Sequence, residues 1–353
     1  MKKLIIATFI STLALVSCST TESVETPVVA TPTETAETPT EDIAEEPVEE
    51  VVEEVTTPTD VKVIMPTGTP ALSFVQFITE NPTIDENVNI TYETLEATDV
   101  LTTTLINNEA DIAIVPTNLA ANLNSKGLDY KLVGSSVWGN FSLISPTEDI
   151  TSLEDLKGKQ ITTFGQNLTP DAVLKYILSG NGIDYENDLV LEYLGGAPEV
   201  ATSYISGTSS LALGAEPVLT NMLTKREGSK VVVNLQEEWE KLTGFESYPQ
   251  ASLIISNELI ESNPEFVESF IQSYDESVDW INANPKDAGD YYEALNLGLT
   301  SAILEKAIPN ASLDFVSVDT AKDSIDTYLN ILYDFNPKLV GDVEINESLY
   351  YTK

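Results

Sequence analysis

The apolar positions fall into short runs separated by polar turns. The first patterned run is Val61-Lys62-Val63-Ile64-Met65, which ends at Pro66. Its β-branched residues and terminal proline predict a strand followed by a turn. Thr69 reads as a helix N-cap and Pro70 as the first helical residue, where a missing N–H costs nothing. A strand that passes through a glycine turn into a helix start presents backbone N–H groups above the strand's end. In an open α/β sheet, ligands bind there.

The same unit recurs along the chain. Gln160 to Gly165 is again a strand ending in glycine, and Thr169-Pro170-Asp171 again caps a helix. Val88 to Leu95 corresponds to Leu189 to Leu194. The stretch from Asn107 to Asn118 lines up with the one from Ser206 to Pro217, each being a turn, a buried strand and a polar loop. Three matches in order predict two similar lobes. Between them, Phe141 to Ser145 is expected to cross from one lobe to the other, and Ala251 to Ile255 to cross back. Trp239 to Tyr248 reads as irregular. Asn263 and Pro264 open a helix whose apolar face holds Phe266, Val267, Phe270, Ile271, Tyr274, Val278 and Ile281, and Asn284-Pro285 ends it. A further helix from about Thr320 places Ala321, Ile325, Tyr328, Leu329 and Leu332 inward.

The chain before Val61 is different material. Lys2-Lys3, the short apolar run Leu4 to Leu15, and Leu15-Val16-Ser17-Cys18 read as a processed secretory segment, too short to span a bilayer. Residues 19–60 contain no Lys, Arg, Gly or aromatic residue and concentrate acid at Glu45-Glu46 to Glu53-Glu54. That composition cannot offset its ordering entropy by burial, so a disordered, extended acidic tether is expected. Residues 61–353 suffice for two cores. The expected division is 61–143 for the first part of lobe 1, 144–249 for lobe 2 and 250–353 for the rest of lobe 1.

Charge and residue types narrow the function classes. The formal charge is −40, which opposes nucleic-acid binding and attachment to anionic lipid. The sequence has no histidine, and Cys18 is its one cysteine. Histidine acid–base chemistry, Ser-His-Asp and Cys-His triads, His or Cys zinc sites and an internal disulfide are therefore excluded. Carboxylate-only hydrolysis and a surface adhesin stay open as lesser alternatives.

The segment closing at Cys18 resembles a bacterial lipobox. With it, Met65-Pro66-Thr67-Gly68-Thr69-Pro70, Asn108-Glu109-Ala110-Asp111-Ile112-Ala113, Leu153-Glu154-Asp155-Leu156-Lys157-Gly158-Lys159, Glu216-Pro217 and the stretch from Asn263-Pro264-Glu265 to Asn284-Pro285 carry a family resemblance in order. The chain resembles a solute-binding lipoprotein of an ABC importer, in the group that binds nitrate, sulfonate, taurine and thiamine precursors (NMT1/THI5-like). The resemblance implies an α/β, two-lobed periplasmic-binding-protein-like fold of type II, with a ligand cleft between lobes and two crossing strands. It also implies a non-enzymatic, monomeric protein without cofactor or metal. Such a protein is exported, held to a membrane by an acyl chain on Cys18, faces the periplasm or cell exterior, and serves an ABC permease and its ATPase.

Extrapolation from strand ends gives Thr67, Gly68, Thr69, Thr117 and Asn118 as ligand-binding candidates in the first lobe. Gln166, Asn167, Thr169 and Glu216 are the candidates in the second, and Trp138 and Tyr248 lie near the crossings, where a ring could stack on a planar ligand. None of these loops contains Lys or Arg, the residues that grip sulfonate or phosphate. A neutral or cationic nitrogen heterocycle, similar to a thiamine-precursor pyrimidine, is therefore expected ahead of an organic or inorganic anion.

Overall fold

Polar–apolar alternation sets how the first strand is buried. In the computed structural model, which describes residues 59–146 and 150–352, β1 (Thr59–Pro66) sends Val61, Val63 and Met65 to one core and Ile64 to another. The strand begins at Thr59, so the last two residues of the expected tether belong to it. The rest of that segment and Cys18 lie outside the described residues.

After β1 come α1 (Thr69–Ser73), α2 (Val75–Glu80), β2 (Val88–Leu95), α3 (Thr98–Ile106), β3 (Ile112–Pro116), α4 (Thr117–Ser125) and β4 (Tyr130–Trp138). A second pass follows with β5 (Phe141–Ser145), β6 (Gln160–Phe164), α5 (Thr169–Gly180), β7 (Val190–Leu194), α6 (Ala197–Ile205), β8 (Ala212–Ala215), α7 (Val218–Lys225), β9 (Lys230–Asn234) and α8 (Leu235–Thr243). The chain then returns through β10 (Pro249–Ser256), α9 (Asn257–Ser262), α10 (Pro264–Ala283), α11 (Pro285–Ala294), α12 (Ser301–Ala307), β11 (Leu313–Ser317) and α13 (Val318–Phe335). Among the described residues no helix is long and apolar enough to cross a membrane.

Two sheets result, one ordered β11-β4-β10-β3-β1-β2 and the other β7-β6-β8-β5-β9. Three strands of each pass pair in parallel in the same order, with β1, β2 and β3 matching β6, β7 and β8. Each sheet is then joined by an antiparallel strand delivered from a distance, β10 in the first and β5 in the second. Helices cover both faces of the first sheet. Phe74 and Phe77 pack with Phe270 and Tyr274 of α10 on one face, while α3, α4 and α13 supply the other. The mixed α/β architecture with two lobes is the expected one.

The two passages between sheets differ in detail from the expectation. Phe141 to Ser145 is buried throughout and lies inside the second sheet, and Ala251 to Ile255 lies inside the first. Such unbroken burial, buried serines included, marks interior strands covered on both faces. The chain changes sheets just before them, at Gly139-Asn140 and across Gly244 to Tyr248. Trp239 also sits in a regular helix, because Asn234 caps α8 by accepting from the Gln236 amide and Trp239 is directed into the core.

An aromatic cluster packs under these passages. Tyr248 is fully buried, stacks on Tyr328 at 5.8 Å between centroids and meets Trp239 edge-on at 5.1 Å. Its ring lies against Gly139, where an added Cβ would fall 2.4 Å from a ring carbon. Gly139→Ala is therefore expected to overpack the hinge at a cost of about 1–3 kcal/mol. A thermal-unfolding midpoint equal to wild type would show that the ring yields freely.

Candidate ligand-binding site

In the first lobe the turn after β1 is held by the protein itself. Thr67 donates its amide to the Leu95 carbonyl at 3.2 Å, and Gly68, at φ +91°, donates its amide to the Tyr292 hydroxyl at 3.2 Å. Glycine is required at such a φ because a Cβ strains it. Gly68 rather than Thr69 occupies the N-cap position, and no side chain caps α1. The reading of Thr69 as a cap is thus corrected. Its hydroxyl is free to reach outward and donates to the Glu216 carbonyl of the second lobe at 2.8 Å.

The equivalent turn in the second lobe behaves similarly. Leu168 is the N-cap of α5, and Thr169 is its first helical residue. The Thr169 side chain lies beside the hydroxyl of Tyr328, on α13 of the first lobe, and opposes the rise that burial gives the Tyr328 pKa. Two threonines at matching positions of the repeat thus each make a contact across the lobe border. Asn167, at φ +60°, donates its amide to the Asp171 carboxylate at 2.8 Å, and Gln166 is exposed. Asp171 is fully buried and also binds Lys175 Nζ at 2.9 Å and the Tyr193 hydroxyl at 2.6 Å. The α5 N-terminus therefore already carries an anion, supplied by its own third residue.

Glu216 lies between β8 and α7 and is 6 % exposed. Its two carboxyl oxygens accept from the Thr220 amide at 3.1 Å and the Thr220 hydroxyl at 2.9 Å, so it caps the first turn of α7. Burial pushes its pKa up to about 7, against the opposing pull of those two bonds. Asn140, in the first passage between sheets, completes the junction. Its Nδ2 donates to Thr69 Oγ1 at 3.3 Å and to the Ala311 carbonyl at 3.4 Å. Its Oδ1 is buried and has no hydrogen-bond partner among the described residues.

The structure thus brings Gly68, Thr69 and Glu216 together, with Asn140, Thr220 and Tyr292 added. The other candidates are placed elsewhere. Thr117 is buried and bonds Ser252 at 2.8 Å, while Asn118 donates to the Leu339 carbonyl at 2.9 Å. Tyr248 packs in the aromatic cluster. Trp138 donates its indole N–H to the Asp314 carbonyl at 2.9 Å and lines a separate cavity. Asn140 had a legible signal, since a polar residue after glycine between two apolar strands marks a passage. Tyr292 had none, because nothing local ties α11 to a turn more than two hundred residues earlier.

The junction offers hydrogen-bond acceptors: Asn140 Oδ1, the Glu216 carboxyl, and the hydroxyls of Thr69 and Thr220. No lysine or arginine takes part in its hydrogen bonds among the described residues. Such a site suits a group that donates N–H or O–H.

The NMT1/THI5-like family model matches residues 84–288, more than half of the chain. No match was found among curated proteins. Among solved structures, an ABC transporter protein from Parabacteroides distasonis aligns with a TM-score of 0.73 at 24 % identity, over 84 % of this chain and 99 % of that one. The periplasmic aliphatic sulphonate-binding protein SsuA of Escherichia coli aligns with a TM-score of 0.68 at 13 % identity, over 84 % and 92 %. The periplasmic nitrate-binding protein NrtA of Synechocystis PCC 6803 aligns at 0.60 and 11 %, over 82 % and 86 %. These likenesses establish the shared two-lobed fold, and with the family match they show that the chain belongs to the NMT1/THI5-like family.

Proposed function

We propose that this protein is the solute-binding component of an ABC importer, capturing a small molecule between its lobes for a permease and its ATPase. The ligand on this reading is neutral or cationic and bears N–H donors, as an aminopyrimidine of the thiamine-precursor type does. One observation carries the ligand class. Both loop amides best placed for an anion are already spent, Gly68 on Tyr292 and Asn167 on Asp171, while the acceptor Asn140 Oδ1 is buried and unpaired. Gly68, Thr69, Asn140 and Glu216 are the contacts favoured on this geometry, with Thr67, Gln166, Asn167 and Thr169 at the rim. Export and anchoring through an acyl chain on Cys18 belong to the same reading. The second reading, an anion binder, is favoured by the sulphonate and nitrate named for two structural neighbours.

Mass spectrometry of small molecules released on denaturing the purified protein is the direct test, followed by calorimetric titration. An aminopyrimidine is expected to bind and taurine and nitrate to give no heat. Tight binding of taurine or nitrate would overturn the ligand class while leaving the transport role intact. For the anchor, Cys18→Ala is expected to abolish acyl-dependent membrane attachment, and normal attachment in that variant would rule the lipobox reading out.

A further inference from the structure

Trp138 belongs to a cavity that shares no lining residue with the Thr69–Asn140–Glu216 junction. It has a volume of about 430 Å³ and lies where the ends of β4 and β11 meet the start of α13 and the passage into β10. That is within the usual range of small-molecule pockets. Trp138 and Phe245 supply aromatic surface, and Ala321 and Leu313 supply aliphatic surface. The indole is fixed by its bond to the Asp314 carbonyl, and Ser324 donates to the Ser247 carbonyl at 3.4 Å, tying the passage to α13.

The charge around this cavity is of one sign. Asp314 and Glu246 line it, and Asp279 and Asp275 on α10 lie close to Asp314. None of these four carboxylates has an ion-pair partner among the described residues. Burial raises the Asp314 pKa and the nearby Asp279 raises it further, while Asp275 is raised by burial and then by Asp279, Asp314 and Glu276. Asp314, Asp279 and Asp275 thus repel one another without an ion-pair partner. A metal ion is a poor answer, because no three carboxylates among the described residues are placed to ligate one and aromatic walls provide no hard ligands. A neutral apolar guest would leave the repulsion in place, and an anion would add to it. A cation with an apolar skin satisfies both surfaces at once, through the ring faces and the field of the carboxylates.

We infer that this hinge-side cavity is a second binding site, for a small organic cation of the alkyl- or aryl-ammonium class, with Trp138 and Phe245 as the ring faces and Asp314 as the counter-charge. The inference does not rest on the ligand class assigned to the lobe junction. Choline and its neutral carbon isostere 3,3-dimethylbutan-1-ol are suitable probes, titrated calorimetrically into the wild type and into Trp138→Leu, Asp314→Asn and Glu216→Gln. Choline is expected to bind about tenfold more tightly than the isostere, and Trp138→Leu to weaken it by about tenfold, since a desolvated cation–π contact has that magnitude. Asp314→Asn is expected to weaken choline about threefold to tenfold without lowering the unfolding midpoint, because it removes one of the mutually repelling carboxylates from a largely exposed position. Glu216→Gln is expected to leave choline binding unchanged. If Trp138→Leu lowers the unfolding midpoint, Trp138→Phe keeps a ring face and should give intermediate affinity. Equal affinity for the two probes, no heat with choline, or loss of choline binding in Glu216→Gln with none in Asp314→Asn would each overturn the assignment. The last of these would move the cation to the lobe junction.

Discussion

Asp171→Ala is expected to lower stability by roughly 3–5 kcal/mol, the cost of leaving one member of a buried ion pair without its partner. Lys175 is the stranded group. Its side chain is 13 % exposed against 0 % for Asp171, and its ammonium is surrounded by the rings of Tyr185, Phe335 and Tyr193 at 5.1, 5.5 and 5.8 Å. Rings soften the loss of the carboxylate but cannot replace its hydrogen bonds. The variant also removes the acceptor of the Asn167 amide and of the Tyr193 hydroxyl, so the turn from Gly165 to Leu168 loses its internal anchor. A thermal midpoint on the order of 10 °C lower is expected for a fold of this size. The double variant Asp171→Ala/Lys175→Met should recover much of the loss, since removing both charges leaves no uncompensated one. A loss below about 1 kcal/mol in the single variant would show that the aromatic rings alone support the ammonium.

Asp171 also marks where sequence reading stops. Its place three residues after a loop and one after Pro170 was visible, and the helix it opens was predicted. That its carboxylate turns back to the loop and occupies the helix N-terminus depends on Lys175 and Tyr193, one from the next turn and one from a neighbouring strand. The broader architecture was legible because it rests on periodicity: the repeated strand–turn–helix unit, the Asn263 cap, and the apolar stripes of α10 and α13 are local patterns. The junction was legible only by half. Strand ends pointed to Gly68, Thr69 and Glu216, since topology places strand ends in the cleft. Which side chains are consumed internally is a matter of long-range pairing, and that removed Thr117 through Ser252 and Asn118 through Leu339. The same long-range pairing hid Tyr292. The misreading of Thr69 and Thr169 as caps has a similar origin. Threonine before proline fits a cap, but one residue earlier Gly68 and Leu168 already have the non-helical backbone that a cap needs, so the Thr69 hydroxyl is released to bond the opposite lobe and the Thr169 side chain lies against it.

Glu216→Gln is expected to stabilise the ligand-free protein at neutral and alkaline pH and to flatten part of its pH dependence. The carboxyl has a folded pKa of about 7 against an ordinary 4.5, because burial penalises its charge more than the Thr220 bonds compensate it. Below the ordinary value, folded and unfolded chains both hold the proton, and this group costs nothing. Between about 4.5 and 7 the folded chain keeps a proton that the unfolded chain has released, so stability falls as pH rises. Above that window the penalty is complete, at about 3 kcal/mol for a difference of this size. Glutamine never ionises, and it can still accept from the Thr220 amide through Oε1 while its Nε2 donates to the Thr220 hydroxyl. The stability of the variant minus that of wild type should therefore be near zero around pH 4.5 and rise to its plateau above pH 7. Denaturant titrations of both proteins at matched pH give that difference directly, and every other titrating group cancels in it. The bond from Thr69 to the Glu216 carbonyl is untouched by the substitution, so the change should appear in the energy of the junction and not in its geometry. A difference that stays flat with pH would mean that water or the Thr220 bonds keep this carboxylate ionised at its usual pKa. A variant less stable than wild type above pH 7 would mean that the charge itself holds the first turn of α7 in place.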